Sequence, residues 1–375
     1  MTRAPRRVGV AATDILNPAS WSGTPASLVR GLGEAGAQVV RLDTSVPRAM
    51  ARLLRGWLSL TGRMDDSWSR SPVFARAAEQ SSRMRRVLRH RGPVDAWILL
   101  GSHFGIPVEE PFGTFDDMTV AQARSISDFR FNGMDDTRWD AWQARQARLY
   151  GEAKKCLVAS TWAARSVTDD YGVPPEKVDV VGCGRNLDPS PAPRDWLHPR
   201  FLFVGREWER KNGPALVHAF AQLRAHVPDA MLEVVGDHPR IDVAGVVGHG
   251  PMQLGSPTDR SALCRLFERA TCFVMPSRFE PFGIAYAEAA AAGIASIATS
   301  MGGAADIVGD DGGILVDPGD ERALLTGMRL MSDPERARVM GAAAQARAPH
   351  FTWAAVGQRV LNALFADVSG ESIIR

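Results

Sequence analysis

The sequence predicts an α/β protein of two Rossmann-like domains, each a parallel sheet wrapped in helices, with a ligand cleft between them. Three observations carry this expectation. Short apolar runs alternate with stretches of helical periodicity along nearly the whole chain. Residues 182–200 hold four prolines and show no periodicity, and strand-and-helix alternation starts afresh beyond them. The two parts also differ in charge: residues 1–200 carry 28 basic and 22 acidic groups, a net of +6, whereas 201–375 carry 16 and 20, a net of −4.

In the first part the pattern predicts strand 7–12, helix 25–35, strand 37–42, helical segments within 48–90 and strand 94–100. Helix 138–152, strand 156–159, helix 161–171 and strand 178–181 follow. The first domain is thus expected over 1–182 and a linker over 183–200. The second domain reads strand 201–205, helix 213–225, strands 230–235 and 243–247, helix 258–269, strand 271–275 and helix 283–292. Strand 295–299, helix 303–308, strand 313–316 and helix 320–331 complete it. Parallel sheets of this kind bind ligands outside the carboxyl ends of their strands, which places the expected site between the domains.

At 375 residues the chain has room for two domains of roughly 150 residues. Its 45% hydrophobic and 23% charged residues exclude a disordered or collagen-like chain. No apolar run reaches the roughly 18 residues of a spanning helix, and the N-terminal residues lead directly into the first strand, so a soluble cytoplasmic protein is expected. Cys156, Cys183, Cys264 and Cys272 fit neither a metal knuckle nor a disulfide framework and are expected as buried thiols. Between Arg48 and Arg91 eleven arginines face only Asp65, Asp66 and Glu79. With Leu53, Leu54, Trp57, Leu58 and Leu60 at helical spacing, this is either a solvated amphipathic helix or a peripheral contact with an anionic membrane or acidic acceptor. No nucleic-acid partner is expected, and oligomeric state leaves no mark in the sequence.

Gly31-Leu-Gly33-Glu-Ala-Gly36 matches the dinucleotide fingerprint letter for letter, but it closes a helix instead of opening one, and a helix C-cap is the better reading. A P-loop is excluded because no lysine precedes Ser or Thr. The loop from Trp21 to Ser27 has the right order: Gly23 permits close approach, Thr24 caps, and Pro25 opens the helix, although an ordinary turn has the same letters. After the strand at 201–205, Gly205, Arg206 and Lys211 stand at the ligand end of a parallel strand, where a guanidinium fork and an ammonium suit a diphosphate. Pro281 keeps Glu280 extended in a loop, Gly283 opens the next helix at an anion-friendly N-terminus, and Glu288 lies inside an alanine-rich helix. A carboxylate there needs a partner, either a salt bridge or a hydroxyl pair such as a ribose.

Glu280 and Glu288 form the Glu-x7-Glu motif, and on it the chain resembles the retaining, nucleotide-sugar-dependent glycosyltransferases of family 4. Val204-Gly205-Arg206 with Lys211 is similar to that family's phosphate-binding pair. Gly302-Gly303 with Asp306 resembles its Gly-Gly turn, where the family more often has Glu. Gly312 to Asp320 and Phe351-Thr352-Trp353 are also similar to its late elements. The resemblance covers nearly all of 201–366 and only scattered points before it. It implies the GT-B fold, with a second domain over 201–350 and a last helix within 351–375 crossing back to the first domain.

The resemblance further implies a nucleotide diphosphate sugar as donor substrate, a hydroxylated acceptor, no cofactor and no metal. Arg206, Lys211 and Glu280 would act in catalysis, and Gly23, Gly205, Phe282, Gly283, Ile284 and Glu288 would bind the donor. No Asp-x-Asp occurs, so the usual metal-dependent signature is missing. Where the family often has a histidine near the reacting sugar, Asp116 stands and would act in catalysis, with Asp117 beside it and His103 the nearest histidine; these last two form the expected acceptor side. The alternative for the aspartates is a helix N-cap pair before Thr119. A nucleotide-sugar epimerase or sugar phosphorylase on the same fold, and a non-catalytic nucleotide-sugar binder, are the competing functions.

Overall fold

The computed structural model describes residues 5–17, 20–46, 48–60, 82–101, 104–126, 131 and 133–366. The first sheet is built from β1 (Arg7–Ala12), β2 (Gln38–Asp43), β3 (Ala96–Leu100), β4 (Phe112–Asp116), β5 (Lys155–Val158) and β6 (Val178–Val180). Its order is β2-β1-β3-β4-β5-β6, and every pairing is parallel. The second holds β7 (Arg200–Val204), β8 (Met231–Val235), β9 (Val246–Gly250), β10 (Cys272–Met275), β11 (Ala295–Thr299) and β12 (Gly313–Val316). Its order is β12-β11-β10-β7-β8-β9, again all parallel. Sequence order reverses between β1 and β3 in one sheet and between β7 and β10 in the other, and such switch points open a crevice at the strands' carboxyl ends.

The central strands form because their residues are buried on both faces, as continuous apolar runs in helix-covered parallel sheets require, while the edge strands β2, β6, β9 and β12 are largely half-buried or exposed. Ala96-Trp-Ile-Leu-Leu100 and Cys272-Phe-Val-Met275 are buried throughout. Three of the four cysteines are buried free thiols, but Cys264 is only half-buried on the helix Pro257–Arg269.

The Gly31-Leu-Gly33-Glu-Ala-Gly36 segment ends the helix Thr24–Glu34, and Gly36 lies beyond it in the left-handed region at φ +90°. Gly31 serves packing: a Cβ there would stand 2.1 Å from the Trp353 carbonyl oxygen. Trp353 starts the helix Trp353–Phe365, whose Gly357 comes equally close, its Cβ position 2.4 Å from the Gly31 oxygen. This last helix thus lies on the first domain. There Arg359 Nε donates to the Val181 carbonyl at 2.8 Å and Lys154 Nζ to the Leu364 carbonyl at 2.7 Å.

β4, the helix Pro334–Arg347 and the start of β9 differ from expectation. β4 was not expected as a strand, because Gly113 and Asp116 interrupt its apolar run; Gly113 is needed where the strand passes Leu364, 3.0 Å from its Cβ position. Asp116 therefore ends its own strand instead of trailing β3 across a loop. The helix Pro334–Arg347 was missed because it shows no apolar stripe, burying only Ala337, Gly341 and Ala344; Asp333 caps it, accepting from Arg336 N at 2.7 Å. β9 begins at Val246, not Val243, since Gly245 turns at φ +82°. In the basic segment a helix spans Arg48–Leu60, with Leu53 76% and Leu60 90% exposed, and a second spans Ser82–His90; residues 61–81 lie outside the described residues.

The glycine contacts make a paired prediction. Gly31→Val drives methyls into the Trp353 backbone and is expected to destabilise the fold by about 1–3 kcal/mol. Gly33→Ala meets nothing within 4 Å in the same helix and is expected to stabilise by roughly 0.5–1 kcal/mol. Denaturant melts of both variants check it; equal shifts of one sign would show that the helix contact does not set the requirement for Gly31.

Candidate active site

A cleft of ≈ 1070 Å³ lies between the carboxyl ends of the two sheets. The loops after β1, β2, β3 and β4 line one wall, and those after β7, β8, β9 and β10 the other.

The loops at the β7/β10 switch point meet in a buried charge cluster. Glu280, 6% exposed, accepts from Lys211 Nζ and from Ser277 Oγ at 3.3 Å, and Arg210 Nη1 stands 3.6 Å away. Arg210, also buried, is fixed by Glu207 and by donation to the Phe279 carbonyl at 2.9 Å. Burial alone would raise the Glu280 carboxyl; Lys211 and Arg210 outweigh it and hold the group below its ordinary value, so it stays ionised. Lys211 shares that one carboxylate with Arg210, and burial lowers its ammonium. Gly205 leaves room for the lysine, its Cβ position being 3.0 Å from Lys211 Cγ. Arg206 differs: it is exposed at the cleft and among the described residues has no ion-pair partner.

Two glycines pin the Glu280 loop. Gly302, at φ +115°, lies against it so closely that a Cβ would come 2.0 Å from the Glu280 oxygen, and Gly303 N donates to that oxygen at 2.9 Å. Beyond the pair, the Asp306 carboxylate accepts from Thr161 N and Thr161 Oγ1, both at 2.6 Å, at the start of the first-domain helix Thr161–Asp169. Gly283, at φ +95°, caps the helix Ile284–Ala291, and Phe282, Gly283 and Ile284 line the cleft beside Glu280.

Glu288, 5% exposed, lines the cleft from inside this helix. Its Oε1 accepts from Leu187 N at 3.1 Å and Asn186 N at 3.3 Å, and no ion pair reaches it among the described residues. Two amides meet part of the need, yet burial still pushes its carboxyl up from 4.5 to about 7. Sequence reasoning missed Asn186, which joins four parts of the chain. Its side chain donates to the Ser22 carbonyl at 2.6 Å and accepts from Ser27 Oγ and Trp353 Nε1, both at 3.1 Å. Arg210 was likewise passed over; its i, i+3 pairing with Glu207 was the available signal.

On the opposite wall Asp116 is 3% exposed and accepts from the buried Tyr150 hydroxyl at 3.2 Å, and Asp117 accepts from Trp21 Nε1 at 2.8 Å. Both face the cleft. They do not cap the following helix: Thr119 does, in a capping box with Gln122. Gly23, at φ +83°, does not itself line the cleft, though its neighbours Ser22 and Thr24 do. His103 lies outside the described residues.

Known proteins share both parts of this picture. The family described as glycosyl transferases group 1 matches residues 198–333. The D-inositol 3-phosphate glycosyltransferase of Segniliparus rotundus is 29% identical over 61% of this chain and 56% of its own length. A GDP-mannose-dependent alpha-(1-6)-phosphatidylinositol monomannoside mannosyltransferase of Mycolicibacterium smegmatis is 32% identical over 44% of this chain and 47% of its own. The chain thus spans about half the length of these curated relatives. Among solved structures, sucrose-phosphate synthase from Thermosynechococcus elongatus superimposes with a TM-score of 0.70 at 18% identity, covering 96% of this chain and 99% of that one. Anabaena HepE in complex with UDP and glucose gives 0.64 at 14% identity, covering 96% and 100%. Residues 198–333 thus match the glycosyl transferases group 1, and the whole chain shares the two-sheet GT-B architecture of these solved structures.

Proposed function

We propose that the protein is a retaining glycosyltransferase that moves a sugar from a nucleotide diphosphate sugar to a hydroxyl of a small-molecule or polysaccharide acceptor, acting in the cytoplasm. The observation that carries this reading is the charge arrangement at the β7/β10 switch point. Three cations, the exposed Arg206, the half-buried Lys211 and the buried Arg210, stand with a helix N-terminus on one wall, with Asp116 on the other.

Breaking the bond between sugar and diphosphate leaves negative charge on the phosphate and cationic character on the sugar. Arg206, Lys211 and the first-turn amides of the helix Ile284–Ala291 would stabilise the former. Glu280, held ionised, would bond the sugar hydroxyls, and Glu288 the ribose, through the carboxylate capacity that Asn186 and Leu187 leave over. Asp116 and Asp117, which line the cleft, would orient the acceptor hydroxyl. The exposed Leu53 and Leu60 remain our candidates for membrane contact, to be checked by co-sedimentation with anionic vesicles. An epimerase would turn over donor without acceptor and a pure binder would not turn it over, so nucleoside diphosphate release that depends on acceptor separates the three readings.

Arg206 and Lys211 are not equivalent. Arg206→Ala is expected to lower turnover on the order of 10²-fold with an unchanged melt, since the side chain is exposed and has no ion-pair partner among the described residues. Lys211→Ala is expected to lose turnover and also about 3–5 kcal/mol of stability, because Glu280 is left buried beside a single cation. Near-normal turnover in both variants would remove them from the site. Activity is expected to persist in excess EDTA, as side chains meet the leaving charge; loss restored only by a divalent ion would count against the arrangement.

Glu288 supplies a pH test. A carboxyl raised from 4.5 to about 7 holds its proton longer in the folded chain than in the unfolded one. Stability must therefore fall as pH rises from about 4.5 to 7, by on the order of 3 kcal/mol, and Glu288→Gln should abolish that fall. Urea titrations of both proteins at pH 5 and pH 7.5 measure it, and calorimetry with nucleoside diphosphates is expected to show weaker binding to the variant.

A further inference from the structure

We infer that Asn186 is a positioning residue: from the segment joining the two domains, its side chain holds a strained cleft loop at Trp21 and Ser22, and through Trp21 it sets Asp117. This rests on the glycosyltransfer reading of the cleft and deepens it.

Trp21 lies at φ 46°, ψ 51° and Ser22 at φ 52°, ψ 28°, both in the left-handed region, and Gly23 follows at φ 83°. Two successive residues with side chains take that conformation only at a cost, so their surroundings must hold them there. Trp21 is held from within the first domain: its Nε1 donates to Asp117 at 2.8 Å, and its ring packs edge-on against Phe115 at 6.2 Å. Ser22 has an exposed side chain, and its carbonyl is held from outside the domain, by Asn186 Nδ2 at 2.6 Å. The orientation of that amide is fixed in turn. Trp353 Nε1 can only donate, so the Asn186 oxygen must face it, at 3.1 Å, which turns the amide nitrogen to Ser22.

The backbone of the same residue serves the opposite wall. Asn186 N donates to Glu288 Oε1 at 3.3 Å, and the Asn186 carbonyl accepts from Arg260 Nη2 at 3.2 Å. Side chain and backbone therefore divide the work. Removing the side chain frees the loop and with it the Trp21 contact to Asp117, whereas the amide bond to Glu288 on the nucleotide side stays. A residue that only held the fold together would affect both sides alike.

The test takes as donor whichever of UDP-glucose, UDP-N-acetylglucosamine and GDP-mannose most raises the melting temperature, and as acceptor glucose or water, whichever is faster. Nucleoside diphosphate release gives kcat, and calorimetry with UDP or GDP gives Kd. Asn186→Ala is expected to lower kcat at least about 10-fold, as a misplaced group does, with Kd changed less than about 3-fold. Adding Ser22→Gly, which takes the left-handed conformation freely, is expected to recover kcat at least about 5-fold. In the otherwise wild-type chain, Ser22→Val is expected to fall at least about 10-fold below Ser22→Asn, since the two side chains are of similar size and asparagine tolerates the left-handed region far better. No loss of kcat in Asn186→Ala, an equal loss of kcat and affinity, no recovery with Ser22→Gly, or equal rates for the Val and Asn variants overturns the inference. If Asn186→Ala does not fold, the two Ser22 variants, altered at an exposed side chain, decide. No release from the wild-type protein overturns the inference together with the glycosyltransfer reading, whereas release that ignores these substitutions overturns it alone.

Discussion

A carboxylate that stays ionised cannot be buried without cations, and much of the second domain follows from Glu280 being buried in that state. Taking its charge out of water is tolerable only with cations at hand, and Lys211 and Arg210 stand there. Those residues leave β7 while Glu280 leaves β10, so the pairing needs β7 and β10 as neighbours, which the reversal of strand order provides. The backbone must then be held where the charges meet. Gly302 and Gly303 press on the Glu280 loop more closely than any side chain would permit. One electrostatic demand thereby dictates a strand order, a loop path and two glycines.

The constraint reaches across the cleft. The short helix after the glycine pair, Ala304–Val308, carries Asp306, whose carboxylate holds the start of a first-domain helix through Thr161. Ser160 packs on Gly303 and donates to the Pro281 carbonyl at 3.4 Å. A movement of the first domain at this point pulls directly on the loop that presents Glu280. Asn186 makes a second tie, joining Glu288 to the loop at Ser22 and to the last helix through Trp353. The two walls of the cleft are therefore mechanically coupled at two points, each built on short hydrogen-bonded contacts.

Much of this was legible in the residues. Glu280, Lys211, Gly283 and Glu288 announce themselves because loop-breaking Pro281 and Gly283 stand at fixed places around them, and local rules read such places well. β4 and the helix Pro334–Arg347 were not legible, because Gly113 obeys a distant residue, Leu364, and the alanine-rich helix packs through small contacts without an apolar stripe. Arg210 and Asn186 escaped for a related reason. Their roles at the site depend on partners 69 or more residues away, and the local pair of Arg210 with Glu207 reports only a salt bridge, not the distant loop that the guanidinium holds. The Gly31 motif shows the converse: its letters fit one chemistry, while its geometry serves the contact with Trp353 and Gly357.

The returning helix has a consequence for how the molecule is made. Strands of the first sheet end at Val180, yet Trp353–Phe365 covers that domain, packing on Thr24–Glu34 with Gly31 against Trp353. The first domain is thus discontinuous, and some 170 residues of the second must be synthesised before its final helix exists. Until then the face at Gly31 is bare, and closing it requires bringing together segments more than 300 residues apart, a slow, entropically opposed step. The second sheet, contiguous from Arg200 to Val316, has no such wait. Folding order should therefore run against sequence order, the later domain serving as the template on which the earlier one is completed.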